Sequence, residues 1–194
     1  MISLVSFSSA HGGEGVKVFA DIDGVKCSYL ISADDFISLG LVKGEIDVSL
    51  LDEIEKSDGC YAAYRAAVRI LSSGECSAKM LYQKLRKRDF SHGSAEFASK
   101  KLLDGGYIDE ERQIESYLLQ LVTKKFYGRR KIIPYLLARG YSAGKINAVL
   151  DEKYTDRDFS AAKKAFLEKK FGKSRPSTRE EAAEMKKELY KRGY

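Results

Sequence analysis

The amino-acid sequence predicts a mainly α-helical protein, built as tandem three-helix repeats in an elongated array with a small N-terminal β-containing subdomain. Three observations carry that expectation. The first is an internal repeat. Lys84-Leu85-Arg86-Lys87-Arg88-Asp89-Phe90 returns in altered form as Tyr135-Leu136-Leu137-Ala138-Arg139-Gly140-Tyr141 and as Glu188-Leu189-Tyr190-Lys191-Arg192-Gly193-Tyr194, with the aromatics offset by 51 and 53 residues. Each copy reads as a helix end, a basic residue, a turn residue and an aromatic, and stacked units of this kind present an extended surface instead of one closed pocket. The second is apolar spacing at helical period beyond Gly59, as in Tyr64, Ala67, Val68 and Leu71, or Ile114, Tyr117, Leu118, Leu121 and Val122. The third is a set of β-type runs at the front of the chain, two of them flanking Asp23-Gly24.

Taken in order, Ile2 to Phe7, Val16 to Ile22 and Val25 to Ile31 read as strands of a small sheet, with Asp23-Gly24 as a hairpin turn. Gly12-Gly13-Glu14-Gly15 lacks the lysine and following helix of a phosphate loop and reads as a turn. Ser32 to Asp35 starts a short helix over Phe36, Ile37 and Leu39 that Gly40 closes; Leu41 to Glu45 is extended, and Ser49 to Lys56 opens the next helix. Further helices are expected near 60–73, 77–88, 94–104, 110–125, 129–139, 143–152, 156–171 and 178–192. Asp109 caps one of them, and Thr155 with Asp158 and Thr178 with Glu181 resemble capping boxes. Pro134 falls inside a helix, where a kink is expected. The division is then 1–56 for the acidic hairpin-containing subdomain, 57–108 for repeat 1, 109–153 for repeat 2 and 154–194 for an incomplete repeat 3.

Charge separates the chain into opposite fields. Residues 1–56 carry 4 Lys/Arg against 10 Asp/Glu, and residues 57–194 carry 30 against 18, within a total net charge of +6. A basic repeat region calls for a polyanion or an acidic protein surface as partner, and the acidic front end discourages indiscriminate adhesion. Three widely spaced cysteines (Cys27, Cys60, Cys76) and two histidines support neither a disulfide framework nor a zinc site, so a reducing cytoplasm is expected and no cofactor. Cys76 reads as a packed thiol. No apolar run approaches the ~18 residues of a membrane span. With no metal spacing, phosphate loop or nucleophile motif, no catalytic residue is nominated.

The candidate binding residues are cations. Lys124, Lys125, Arg129, Arg130 and Lys131 flank Phe126-Tyr127 across a helix junction, where they suit phosphates or partner carboxylates. The plainer alternative has Lys124 and Lys125 complementing a helix C-terminus, with the two aromatics packed in the core. Lys84, Arg86, Lys87 and Arg88 also end a helix, but four cations in five residues exceed what one terminus needs, and Arg139, Lys191 and Arg192 stand at related repeat positions. Lys163, Lys164, Lys169 and Lys170, around Phe166 and Phe171, read as a solvated face.

One family resemblance runs through the repeats. Ala67-Val68-Arg69-Ile70-Leu71-Ser72, Ser77-Ala78-Lys79-Met80-Leu81, Lys84-Leu85, Phe90 and Leu103-x-x-Gly106-Tyr107-Ile108-Asp109-x-x-Arg112, continued by Tyr117 and Gly128-Arg129-x-x-Ile132-x-x-Tyr135-Leu136-x-x-Arg139-Gly140-Tyr141, resemble the RecX family of bacterial recombinase regulators. The likeness covers residues 60–152, with 153–194 as a further repeat. Two departures stand out: Arg129 follows Gly128 where the family often has proline, and Lys79 stands where an acidic residue is common. The resemblance implies a non-enzymatic protein, expected as a monomer, that binds the RecA recombinase and its filament on single-stranded DNA. It also implies restraint of RecA's ATPase, strand exchange and coprotease functions. A direct DNA-binding helix-turn-helix-like module is the alternative, since a basic three-helix unit has that shape.

Overall fold

A computed structural model of the chain describes residues 1–172, 176 and 178–194. They form two compact units, Met1–Tyr107 and Ile108–Tyr194.

The first unit begins with β1 (Ile2–Ala10), β2 (Gly15–Ile22) and β3 (Val25–Ser32), joined later by the two-residue β4 (Gly44–Glu45), in an antiparallel sheet of order β3-β2-β1-β4. Ile22 pairs with Val25 across Asp23-Gly24, whose φ values of 50° and 86° are both left-handed, as the tightest hairpin turn demands. The glycine-rich segment is the turn between β1 and β2, with Gly12 at φ 69° and Gly13 at φ 100°. Alternation sends Leu4, Val18, Ala20 and Ile31 to one face, where Phe36 and Leu39 from the α1 region (Ala33–Ser38) and Leu50 and Ile54 from α2 (Val48–Ser72) cover them.

That second helix corrects the sequence reading. A break was expected before residue 60, yet α2 runs unbroken over Val48–Ser72, through Lys56 and Gly59. A mid-helix glycine costs about 1 kcal/mol against alanine, and close packing offsets it here. A Cβ on Gly59 would lie 3.0 Å from the Ser94 hydroxyl. Gly59, Ala63 and Ala67 thus form a low ridge on which α4 (His92–Asp104) seats Ser94, Ala95 and Ala98, while α3 (Ala78–Arg86) adds Leu81 and Leu85 to the buried set. The same long helix guards the sheet edge, since Asp58 accepts the Leu30 amide at 2.7 Å and Glu55 accepts the Tyr29 hydroxyl at 2.9 Å.

In the second unit, α5 (Glu110–Leu119), α6 (Arg129–Leu137), α7 (Ala143–Lys153) and α8 (Asp156–Phe171) share one core of Ile114, Leu118, Leu121, Ile132, Leu136, Ile146, Leu150 and Phe159, and α9 (Arg179–Lys191) brings Tyr194 to its border. The helix expected over 110–125 does not stay α-helical. It widens into a π-helical segment at Gln120–Lys124, with the Lys125 amide reaching the Gln120 carbonyl at 3.1 Å. The Thr123 hydroxyl donates to the Leu119 carbonyl and competes with the regular ladder there. Phe126 then ends the helix in a left-handed conformation, φ 53°. Pro134 leaves α6 continuous, at the loss of one amide donor. Asp109 caps α5 as expected, and both capping boxes, Thr155/Asp158 and Thr178/Glu181, are present.

Candidate functional site

The three repeat copies are the same helix terminus. In each, the aromatic amide bonds the carbonyl of the leucine five residues back: Phe90 to Leu85 at 3.4 Å, Tyr141 to Leu136 at 3.3 Å and Tyr194 to Leu189 at 3.1 Å. In each, the residue before the aromatic is left-handed, Asp89 at φ 64°, Gly140 at 87° and Gly193 at 85°, and its amide bonds three residues back, to Arg86, Leu137 and Tyr190. This pair of bonds defines a Schellman cap, which lets leucine and aromatic meet while satisfying the last carbonyls. The repeated basic residue, Arg88, Arg139 or Arg192, is therefore the residue that leaves the helix.

Its side chain does different work in the three copies. The Arg139 guanidinium carbon lies 3.9 Å from the Tyr135 ring centre and 5.2 Å from that of Tyr117. Arg192 stands 4.1 Å over Phe166 and 5.9 Å from Tyr127, and donates to the Lys125 carbonyl. Both are half-buried and folded onto aromatic faces. Arg88 is exposed, and among the described residues it meets neither a ring nor a carboxylate. Around it Lys84, Arg86 and Lys87 are exposed as well, Arg86 donating to the Phe90 carbonyl. Lys84 reaches back towards Cys76, whose thiol burial pushes up in pKa while the ammonium pulls it down.

The 124–131 junction divides in the same way. Phe126 and Tyr127 are half-buried against the core, so the aromatic pair packs. Lys125 sits 5.5 Å over Tyr135; Arg129 pairs with Asp151 at 2.6 Å and lies 5.4 Å from the Phe159 ring. The C-terminal turn docks directly here: the Gly128 amide donates to the Arg192 carbonyl at 2.8 Å, and a Cβ on Gly128 would fall 2.4 Å from the Gly193 carbonyl oxygen. What remains outward is Lys124, Arg130 and Lys131, exposed and without a carboxylate partner among the described residues. Arg130 and Lys131 lie in the first turn of α6, at the positive end of the helix dipole. Lys191 pairs with Glu188 at 2.7 Å. Lys164 only approaches Glu168, at 4.0 Å, and Lys163 and Lys169 are exposed.

One feature beside the first turn was not read from the sequence. A cleft of about 570 Å³ opens there, lined among others by Lys56, Asp89, Phe90, Gly93 and Phe97. The available signal was Asp89 itself, which stands where the other two copies carry glycine. No group of metal-ligating side chains occurs among the described residues, and no helix there is long and apolar enough to cross a membrane.

No family model matches the chain. A regulatory protein RecX of Halorhodospira halophila is 31% identical over 129 residues, which span 66% of this chain and 78% of that protein. A crystal structure of regulatory protein RecX aligns with 100% of this chain and 95% of its own at a TM-score of 0.77 and 19% identity, a likeness of fold. The crystal structure of RecX from Lactobacillus salivarius covers 71% of this chain and 89% of its own, with a TM-score of 0.63 and 25% identity. The sequence relationship to a RecX protein over most of its length, on a mainly α-helical fold with an N-terminal sheet, places the chain in the RecX family of regulatory proteins.

Proposed function

We propose that this chain is a non-enzymatic regulator of the RecA recombinase, binding RecA and its filament on single-stranded DNA and restraining ATP hydrolysis, strand exchange and coprotease activity. Membership of the RecX family is the observation that carries this reading. The surface chemistry agrees with it. Two sets of outward cations, Lys84, Arg86, Lys87 and Arg88 on one helix end and Lys124, Arg130 and Lys131 at another junction, suit an acidic protein surface or a phosphate backbone. Arg139, Arg192, Lys125 and Arg129 support those surfaces from within by fixing the turns on aromatic rings. The acidic residues of 1–56 screen the basic portion from unselective adhesion to DNA, and the protein works as a cytoplasmic monomer.

Titration into RecA turning over ATP on saturating single-stranded DNA tests the reading. The rate should fall while the protein alone hydrolyses no ATP; an unchanged rate at several-fold excess over RecA refutes it. A direct DNA-binding role is favoured at Arg130 and Lys131, cations at a helix N-terminus with no carboxylate partner among the described residues, where the dipole does not call for them. Holding DNA constant while RecA is varied separates the two, since a DNA-binding module would bind bare strands as well as filaments.

A further inference from the structure

We infer that the cleft beside Asp89 is a nucleobase subsite, in which Asp89 accepts the paired N–H donors of a guanine in a single strand while Lys56, Lys87 and Arg88 hold the flanking phosphates. The inference rests on the proposal that the outward cations of the α3 terminus suit a phosphate backbone.

Asp89 is the starting point. Its backbone is left-handed, at φ 64°, in a position that the other two repeats fill with glycine. Aspartate tolerates that conformation better than most residues but gains nothing from it, so the side chain is what distinguishes this copy. That side chain is exposed, and among the described residues it makes no hydrogen bond or ion pair. It stands at the wall of a cleft of about 570 Å³, large enough for a base with its sugar. Phe90 and Phe97 line the same space; Phe97 is 40% exposed and, with Lys101 5.5 Å from its ring centre, still brings aromatic surface to the cleft, and Gly93 leaves its wall open.

Charge sorts the possible ligands. Lys56 lines the cleft, and Lys87 and Arg88 immediately precede Asp89, all three exposed and without carboxylate partners among the described residues. Three cations in and next to the cleft wall favour an anionic ligand. Glu55, the other carboxylate of the cleft, already accepts the Tyr29 hydroxyl. A carboxylate with two free oxygens matches two parallel donors, and among the bases guanine presents that pair, N1–H and N2–H, on its Watson–Crick edge. In a single strand that edge is open to a protein. Adenine offers one amino group beside an acceptor, which faces the carboxylate unfavourably.

The test needs no recombinase, so its failure is distinguishable from failure of the regulatory reading. Fluorescence anisotropy would measure binding of the full chain to a short thymine strand carrying one central guanine, hypoxanthine or adenine, and to guanosine monophosphate. Guanine should bind roughly tenfold tighter than adenine, with hypoxanthine between, because it keeps N1–H and lacks the second donor. Asp89→Gly should erase that order while leaving the thermal midpoint at or above the parent's, since glycine suits the turn; loss of preference then cannot be unfolding. The double change Lys87→Ala, Arg88→Ala should weaken all strands alike and lower the slope of log affinity against log salt by about 1.5. Equal affinity for the three strands, or a guanine preference that survives in Asp89→Gly, overturns the proposal. Guanosine monophosphate binding as tightly as the strand overturns the strand assignment.

Discussion

Replacing Arg88, Arg139 and Arg192 by alanine, one at a time, separates the arginines that build the protein from the one that is free to meet a partner. Arg192 loses a guanidinium 4.1 Å over Phe166 and 5.9 Å from Tyr127, together with its bond to the Lys125 carbonyl. A cation–π contact contributes about 0.5–2 kcal/mol depending on desolvation, and a hydrogen bond to or from a charged group about 1.5–3. Partial exposure puts the sum for Arg192→Ala near 2 kcal/mol, which for a chain of this size lowers Tm by roughly 4–8 °C. Arg139→Ala, losing its 3.9 Å stack on Tyr135, should cost about 1 kcal/mol. Arg88→Ala should stay within about 0.5 kcal/mol, because its exposed side chain makes no hydrogen bond, ion pair or ring contact among the described residues. Thermal melts followed by helical circular dichroism read all three, and Arg192→Lys should recover little, since an ammonium lacks the planar face. Inhibition of RecA should run in the opposite order, weakest in Arg88→Ala relative to the fraction folded. Arg88→Ala melting as low as Arg192→Ala, or Arg192→Ala melting with the parent, refutes the division.

Charge reversal of Arg130 and Lys131 to glutamate should weaken RecA inhibition much more than reversal of Lys163, Lys164 and Lys169, with both variants melting near the parent; equal inhibition by the two would move the interface elsewhere. Hydrogen bonds from Lys170 and Lys191, at 2.6 and 2.7 Å, hold the Glu188 carboxyl down at about 2, below the ordinary 4.5. A depressed carboxylate stabilises the fold above its unfolded pKa, and the effect is lost as pH falls from about 4.5 to about 2. Protection of the α9 amides, taken against their intrinsic exchange rate at each pH, should therefore fall across that window in the parent and not in Glu188→Gln; matching profiles would exclude the carboxylate. A chain starting at Ser57 should lose cooperative melting of the first unit, because it removes the entire sheet with its core and cuts α2, whereas neutralising surface carboxylates of 1–56 should raise DNA affinity with the melt intact.

The elements whose reasons are local were legible in the sequence. Asp23-Gly24 specifies its hairpin, Asp109, Thr155 and Thr178 supply caps within three residues, and the three Leu-to-aromatic spans carry their own hydrogen-bond pattern. What escaped depends on distant partners. The joining of 49–56 and 60–73 into one helix through Gly59 rests on Ser94 packed against that glycine, and the π-helical segment at Gln120–Lys124 answers to packing around Leu121 and Val122 as much as to Thr123. The cations show the same limit. Lys124 to Lys131 is a single basic run in the sequence, yet rings and Asp151 engage Lys125 and Arg129 and leave Lys124, Arg130 and Lys131 outward. A count of charge measures a field, and only the fold says which members of it are available.

The repeat itself explains why availability differs. A Schellman cap fixes the backbone of its last helical residue but leaves that residue's side chain to whatever lies beside the turn. In the second unit, aromatics stand beside both turns, Tyr117 and Tyr135 at one and Tyr127 and Phe166 at the other, and each captures its arginine. At the first turn the arginine meets no ring among the described residues, and the αL position carries aspartate in place of glycine. A carboxylate one residue from that guanidinium, itself without a hydrogen bond or ion pair among the described residues, departs from the pattern in two ways that both weaken the cap as structure. Both changes increase what the turn can offer to a ligand, so of the three copies the first is the one whose chemistry faces outward.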